Sequence, residues 1–85
     1  MEPWKVVLDE VAFQYLISIN ASERRRLLSV FDDLRNNPHR RPDYFIKDAA
    51  ERDLSVWATK PFLITYWLDS FVSEVRVVNI ERLRF

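Results

Sequence analysis

The chain contains no glycine and no cysteine among its 85 residues, and its single histidine is His39. Without glycine, the glycine-rich loops that cradle phosphates in dinucleotide and nucleoside triphosphate sites are excluded. Every turn position with positive φ is therefore expected to fall on Asn or Asp, or to be avoided. Without cysteine, disulfides and thiolate metal sites are excluded. A lone histidine forms a metal site only where several carboxylates converge on it, so we predict no metal and no cofactor.

Long apolar runs are also missing. No run approaches the roughly 20 residues that a membrane span needs, and the opening Met-Glu-Pro-Trp-Lys lacks the basic and apolar segments of a secretory signal. With 48% hydrophobic residues, the chain has material for one small domain over residues 1–85 with a modest core. We therefore expect a single cytoplasmic domain that does not contact a membrane.

Neither sign of charge is in excess, since 13 Lys and Arg balance 13 Asp and Glu. Zero net charge argues against a tight, non-specific grip on a nucleic acid backbone, which relies on clustered cations. The charges are unevenly distributed, because residues 1–23 contain one cation, Lys5, and four acids. The remaining twelve cations and nine acids give the rest of the chain a slight basic bias only.

The later half of the chain is rich in β-branched and aromatic residues, which pack well on a pleated surface. Between residues 54 and 80 three such runs follow one another, separated by Lys60-Pro61 and by residues 69–74. A parallel crossover needs about a dozen residues or more, so these gaps favour three consecutive antiparallel strands.

Alternation assigns faces to these strands. The central strand has two largely apolar faces, one with Phe62, Ile64, Tyr66 and Leu68 and the other with Leu63, Thr65 and Trp67. Regular alternation in the last strand places Val75 and Val77 on one face and, on the other, Arg76, Val78, Ile80 and Arg82. We therefore expect Tyr66 to pack in the core and Arg76 and Arg82 to share a face.

Residues 4–8 alternate as a first strand, and two helical patterns follow. Asp9 stands at the N-cap position of the first helix. Asn20, with Glu23 three residues later, resembles a capping box for the second helix, and Ser22 is the competing cap. The apolar faces of the two helices are predicted to comprise Ala12, Tyr15, Leu16 and Ile19 in the first and Leu27, Val30, Phe31 and Leu34 in the second.

Asn37-Pro38 ends the second helix, because proline disfavours a helical residue before it. Tyr44–Lys47 is an apolar run that predicts another short strand or an extended edge. The order of segments indicates an α+β fold, in which an N-terminal strand and an antiparallel helical hairpin pack on a twisted antiparallel β-sheet.

In this order and at this length, the segments resemble the RelE/ParE superfamily, the toxin halves of bacterial type II toxin–antitoxin pairs. The likeness covers nearly the whole chain. It is carried by residues 4–8, the Arg-rich second helix ending in Asn37-Pro38, Arg52-Asp53-Leu54-Ser55-Val56, residues 62–69 and residues 74–82. The resemblance implies a RelE/ParE-like toxin domain, neutralised by a cognate antitoxin whose extended or helical tail wraps it, with family roles such as plasmid stabilization.

The resemblance leaves three functions open. Members of the family divide into ribosome-dependent endoribonucleases that cut mRNA, also called mRNA interferases, and inhibitors of DNA gyrase. The third alternative is an inactive member that only pairs with an antitoxin-like partner. The implied partners are therefore an antitoxin in every case and, depending on the function, the ribosome with its mRNA or DNA gyrase.

In the family, the nuclease site is metal-independent and consists of basic residues and a tyrosine. Cleavage by attack of the RNA 2′-hydroxyl needs a proton acceptor, cations for the charge that grows on phosphorus, and a proton donor for the leaving oxygen. Carried over by position, the catalytic roles fall on Lys47, Arg52, Arg76 and Arg82. Contacts to RNA or another target fall on Arg40, Arg41, Lys60 and Arg84, and Trp57 and Trp67 are expected to anchor the antitoxin.

Several positions depart from the family's nuclease pattern. Leu63 stands where an arginine is common, and Phe85 stands where a tyrosine would supply a hydroxyl. Glu51 and Lys60 replace the family's usual glycines. These departures and the zero net charge count against the nuclease, and the alternative for each cation is a solvated surface position.

Overall fold

The structure is a computed structural model that describes residues 3–84. The elements in chain order are β1 (Lys5–Leu8), α1 (Glu10–Ser18), α2 (Ala21–Asn36), β2 (Tyr44–Lys47), β3 (Asp53–Thr59), β4 (Phe62–Asp69) and β5 (Glu74–Arg82). The five strands form one sheet in the order β1-β5-β4-β3-β2. The predicted α+β fold and the strand at Tyr44–Lys47 are confirmed.

One pairing differs from the predicted antiparallel sheet. Strands β2 to β5 pair antiparallel with their neighbours, but β1 pairs parallel with β5, with Val6 opposite Val75 and Leu8 opposite Val77. The chain between β1 and β5 contains both helices and three strands. This long connection lets β1 lie parallel to its neighbour, which short connections do not allow.

Both helices cover the same face of the sheet, which we call the helix face. It is the face of Phe62, Ile64 and Tyr66, which are at most 1% exposed and belong to the same core cluster as buried residues of the helices. The helical contribution to this core comprises Ala12, Leu27, Val30, Phe31 and Leu34. The opposite side, which carries Leu63, Thr65 and Trp67, is called the open face.

The helical hairpin is held by side chains at the break between its helices. The Glu23 backbone N–H donates to Asn20 Oδ1 at 2.8 Å, and Asn20 Nδ2 donates to Glu23 Oε1 at 3.1 Å. Asn20 is therefore the N-cap of α2, as predicted. Arg24 donates to the carbonyl oxygens of Leu16 and Ile19, and so satisfies backbone acceptors at the C-terminal end of α1.

Strand β5 contains a β-bulge. Val77 pairs with Tyr66 and Asn79 pairs with Thr65, so Val78 is an extra residue with no partner in β4. Beyond the bulge, Ile80 pairs with Ile64 and is 3% exposed in the core. The predicted regular alternation is therefore wrong after Val77, because the extra residue returns Ile80 to the helix face.

Among residues 3–84, positive φ occurs at Glu51, at 64°, and at Ser73, at 54°. The prediction that Asn or Asp would take such positions is wrong. At Glu51 the strained turn is held by Asp48, whose Oδ1 accepts from the backbone N–H groups of Ala50 and Arg52 at 2.9 Å. These bonds offset the cost of the left-handed conformation, which is about 1 kcal/mol for a residue with a Cβ atom.

The two candidate caps of α2 can be separated by mutation. Asn20→Ala should lower the free energy of unfolding by about 1 kcal/mol, because the Glu23 N–H loses its acceptor. Ser22→Ala is the matched control and should change this free energy by less than about 0.5 kcal/mol, because Ser22 is exposed within α2. Urea denaturation followed by tryptophan fluorescence measures both, and equal losses in the two variants would contradict the assignment of the cap.

Candidate functional site on the open face of the sheet

The open face has an apolar floor. Leu54 and Val56 of β3 are 6% and 1% exposed, and Thr65 of β4 is 5% exposed. Val56 pairs with Thr65 across the strands, and Leu54 and Val56 lie opposite Ile46 and Tyr44 of β2. Tyr44 and Ile46 are each more than 40% exposed, so the floor borders a half-exposed apolar margin at the β2 edge.

A row of two arginines and one tryptophan crosses this face, and we call it the Arg–Trp row. The Arg52 guanidinium carbon lies 4.5 Å from the centroid of the Trp67 ring. Trp67 pairs directly with Arg76 of β5, so the second arginine lies on the neighbouring strand at the same level. An aromatic ring beside guanidinium groups can stack a nucleic acid base and contact its phosphates. It is equally suited to anchor a protein partner.

Carboxylates already neutralise both arginines of the row. Arg52 Nε lies 2.9 Å from Asp48 Oδ2. Arg76 lies 3.3 Å from Asp9 Oδ1 and 3.2 Å from Glu74 Oε1. Two cations therefore face three acids, and a phosphate would have to compete with all three.

The environment of Asp48 shifts its titration. Its pKa is lowered from the ordinary value of 3.8, chiefly by the backbone hydrogen bond from Arg52, together with the Arg52 side chain and the Ala50 N–H. The carboxylate therefore stays charged while it accepts these bonds.

The other two residues predicted to be catalytic lie away from the Arg–Trp row. Arg82 pairs with Phe62 on the helix face, where its guanidinium binds Glu23 of α2. The hydrogen bond and charge of Glu23 raise the pKa of Arg82. Lys47 pairs with Asp53 at 2.8 Å near the β2 edge. The expectation that Arg76 and Arg82 share a face is wrong, because the bulge at Val78 separates them.

The residues predicted to contact a target are scattered. Lys60 is exposed in the turn between β3 and β4, and Arg41 and Arg84 are exposed in segments outside the strands. Arg40 is half-buried, with its guanidinium carbon 3.7 Å from the centroid of the Trp57 ring. These four residues do not converge on the Arg–Trp row as one basic patch.

Trp57 is buried, whereas Trp67 is half-buried on the open face. Trp57 is 8% exposed and belongs to the helix-face core. The face of Trp57 could have been predicted from the two-residue turn at Lys60-Pro61. This turn sets Thr59 opposite Phe62 and therefore Trp57 opposite Ile64. The predicted packing of Tyr66 in the core is confirmed, and burial raises the pKa of its hydroxyl.

A cleft that was not predicted lies at the end of α2. Its volume is about 570 Å³, and it is lined by Pro3, Trp4, Arg35, Asn36, Asn37, Pro38 and His39. The Trp4 and His39 rings meet edge to face at 5.3 Å.

Within residues 3–84 no group of three or more His, Cys, Asp or Glu side chains is arranged to hold a metal ion. Over the same residues, no helix has the length and apolarity to cross a membrane.

Solved structures share this fold along almost the whole chain. A chain of the RelBE2 toxin–antitoxin complex of Mycobacterium tuberculosis superposes with a TM-score of 0.78 at 13% identity, covering 96% of this chain and 100% of that one. A chain of the archaeal RelE–RelB complex from Pyrococcus horikoshii OT3 gives 0.72 at 15% identity, with 95% and 96% covered. The isolated RelE toxin of E. coli gives 0.72 at 13% identity, with 96% and 86% covered.

Comparison by sequence gives no match, either to a protein-family model or to a curated protein. At 13–15% identity the superpositions define the fold alone. This protein therefore has the RelE fold, two helices on a five-stranded, mostly antiparallel sheet.

The charge of Asp48 should make the protein sensitive to acid. Because its folded-state pKa lies below its ordinary value, its contribution to stability is present above pH 3.8 and is lost as the pH falls through the lower folded-state pKa. Asp48→Asn retains an oxygen for the Ala50 and Arg52 N–H groups but removes the charge. The variant should be less stable than the native chain at pH 7, and the difference should shrink below about pH 3.8.

Thermal unfolding between pH 7 and pH 2.5 measures this difference. Asp53→Asn is the control, because it removes one carboxylate from the exposed Lys47 pair, where little stability resides. A gap between native chain and Asp48→Asn that stays constant with pH would contradict the role given to the Asp48 charge.

Proposed function

We propose that this chain is the toxin component of a type II toxin–antitoxin pair, cytoplasmic and held inactive by a cognate antitoxin. The observation that carries the proposal is the match of 95–96% of the chain to RelE structures, two of which are toxin–antitoxin complexes.

Exposed apolar side chains supply surfaces for such a partner. Phe13 and Ile17 lie one helical turn apart on α1 and are 48% and 51% exposed, and Leu28 on α2 is 46% exposed. Large exposed apolar side chains that lie close together mark sites of protein association. An antitoxin segment that covers them would stabilise the pair by the burial of apolar surface.

Expression of the chain alone should arrest bacterial growth, and co-expression with its antitoxin should restore it. The antitoxin is sought in the neighbouring reading frame, as a short protein with a DNA-binding segment and a flexible tail. Growth curves and co-purification of the tagged chain measure the two effects. Harmless expression together with stable co-purification would contradict toxicity and favour an inactive member that only pairs with its partner.

The Arg–Trp row favours a second candidate, cleavage of mRNA on the ribosome. A ribosome holds the RNA already, so the chain need add only phosphate contacts and a base-stacking ring. Arg52, Trp67 and Arg76 have this chemistry. What the candidate lacks is the hydroxyl of the family's tyrosine, since Phe85, outside the described residues, has none.

The carboxylate pairs favour a mode of action by binding over cleavage. Lys47, Arg52, Arg76 and Arg82 each have an acidic partner within the chain. A cation that is neutralised in the folded protein must lose this partner before it stabilises charge on a phosphate. Inhibition of a target such as DNA gyrase needs no such exchange and remains the alternative toxic action.

Arginine variants and RNA mapping separate the two modes. If the chain acts by binding alone, induced expression should produce no new breaks in mRNA by primer extension, for the native chain and for the double variant Arg52→Ala/Arg76→Ala alike. Arg82→Ala is the control, because Arg82 lies on the helix face. New breaks that disappear in the double variant but persist in the control would contradict binding alone and establish the Arg–Trp row as a nuclease site.

A further inference from the structure

Strand β2 leaves an unusually apolar edge at one end of the sheet. Its four residues are all exposed, and three are large hydrophobic side chains: Tyr44 at 47%, Phe45 at 62% and Ile46 at 42%. Exposed sheet edges normally carry charges, prolines or bulges that prevent pairing with another chain. In β2 the charged residue is Lys47, which is bound to Asp53 of its own chain.

The other edge of the sheet is different. Val6, Val7 and Leu8 of β1 are half-buried, and both helices contact this strand. The opportunity for edge pairing is therefore concentrated at β2.

The backbone of β2 has groups available for such pairing. The Asp48 N–H donates to the Arg52 carbonyl oxygen across the turn to β3. In an antiparallel pair every second residue directs its backbone N–H and C=O groups to the partner strand. Counting back from Asp48, Ile46 and Tyr44 therefore direct these groups to β3. Phe45 and Lys47 then direct theirs to the outer edge.

We propose that the β2 edge pairs with the β2 edge of a second copy of this chain, in an antiparallel, two-fold symmetric register centred on Phe45. In this register Phe45 lies opposite Phe45 of the second copy, and the outward N–H and C=O groups of the two residues bond each other. Tyr44 lies opposite Ile46 of the second copy on the other face. The two sheets join into one of ten strands.

The same register is complementary in charge. Because the positions of opposite residues add to twice 45, the Lys47 side chain of one copy comes beside the exposed Asp43 side chain of the other, and the pair occurs twice. The Asp43 N–H itself donates inward to the Val56 carbonyl oxygen, so this contact adds a charge pair and no further backbone bond from that group. Opposite charges directly across two strands stabilise them, and cross-strand pairs of aromatic and aliphatic residues do so as well. A two-fold symmetric contact needs a surface that complements itself. Residues 43–47 meet this condition, because an acid at one end and a base at the other flank three apolar residues.

Asp43 and Lys47 can join these pairs without losing the fold. Asp43 Oδ2 accepts from the Ala58 N–H at 2.6 Å, which leaves Oδ1 for a second donor. The Lys47–Asp53 pair has both side chains more than half exposed, so exchange of its partner costs little. A contact of this size is small for a protein interface, so the dimer should be concentration-dependent.

Sedimentation equilibrium of the full chain tests the association. The mean mass should rise from the 10.3 kDa of one chain toward twice that value between about 10 μM and 1 mM. A constant mass of one chain over this range would overturn the proposal.

A cysteine substitution tests the register, because the native chain has no cysteine. Two residues that bond each other across antiparallel strands have Cα atoms about 5.5 Å apart, within the range that a disulfide spans. Phe45→Cys should therefore cross-link on mild oxidation about tenfold faster than Phe71→Cys at equal concentration. Phe71 is the matched control, since it is fully exposed in the loop between β4 and β5.

Charge substitutions at Phe45 test the two-fold symmetry directly. Phe45→Lys and Phe45→Glu should each be monomeric, because like charges would lie opposite each other, and their 1:1 mixture should form a heterodimer. Circular dichroism melts verify that both variants fold. A dimer that persists in either single variant, or no heterodimer in the mixture, would place any association elsewhere and overturn the proposal. Protection of Phe45→Cys from alkylation by an antitoxin, without self-association of the chain alone, would instead assign the edge to a partner's strand.

Discussion

One extra residue in β5 determines what each face of this protein presents. Val78 has no partner in β4, so the strand keeps Val75 and Val77 on the helix face and returns Ile80 to it three residues later. The core under the helices is therefore continuous along β5. The same bulge leaves Arg76 on the open face and directs Arg82 to Glu23 on the helix face.

The separation of these arginines shapes the chemistry that remains. A phosphate-cleaving site needs cations that converge on one reacting group. Here Arg82 instead forms an ion pair with Glu23 of α2, and the same carboxylate accepts a hydrogen bond from the Asn20 side chain. Arg24 likewise has a structural role, because it donates to the Ile19 carbonyl oxygen at the end of α1. The open face retains a tryptophan and two neutralised arginines, beside an apolar floor. Such a surface recognises a partner or a base by stacking more readily than it stabilises a growing negative charge.

Much of the fold could be predicted from local patterns, because each pattern had one dominant physical cause. Short gaps between apolar runs permit only antiparallel hairpins, and the spacing of Leu27, Phe31 and Leu34 permits only one buried helix face. The Asn20–Glu23 pair identified the cap for the same reason.

The site was less predictable, because it depends on register. A bulge has no composition of its own, so the face of Arg82 could not be read from alternation. The position of Trp57 follows from the pairing across Lys60-Pro61 rather than from its residue type. The positive φ of Glu51 depends on a side chain three residues earlier, Asp48, which accepts the hydrogen bonds of the turn.

The most direct test of this account is the set of proton–proton contacts of β5 in solution, measured by NMR on the isolated chain. The account predicts cross-peaks from the Ile80 methyl groups to Ile64 and to helix side chains, and from the Arg82 side chain to Glu23. Cross-peaks from the Ile80 methyl groups to Leu63, without any from Arg82 to Glu23, would mean that β5 alternates regularly and would contradict the separation of the two arginines.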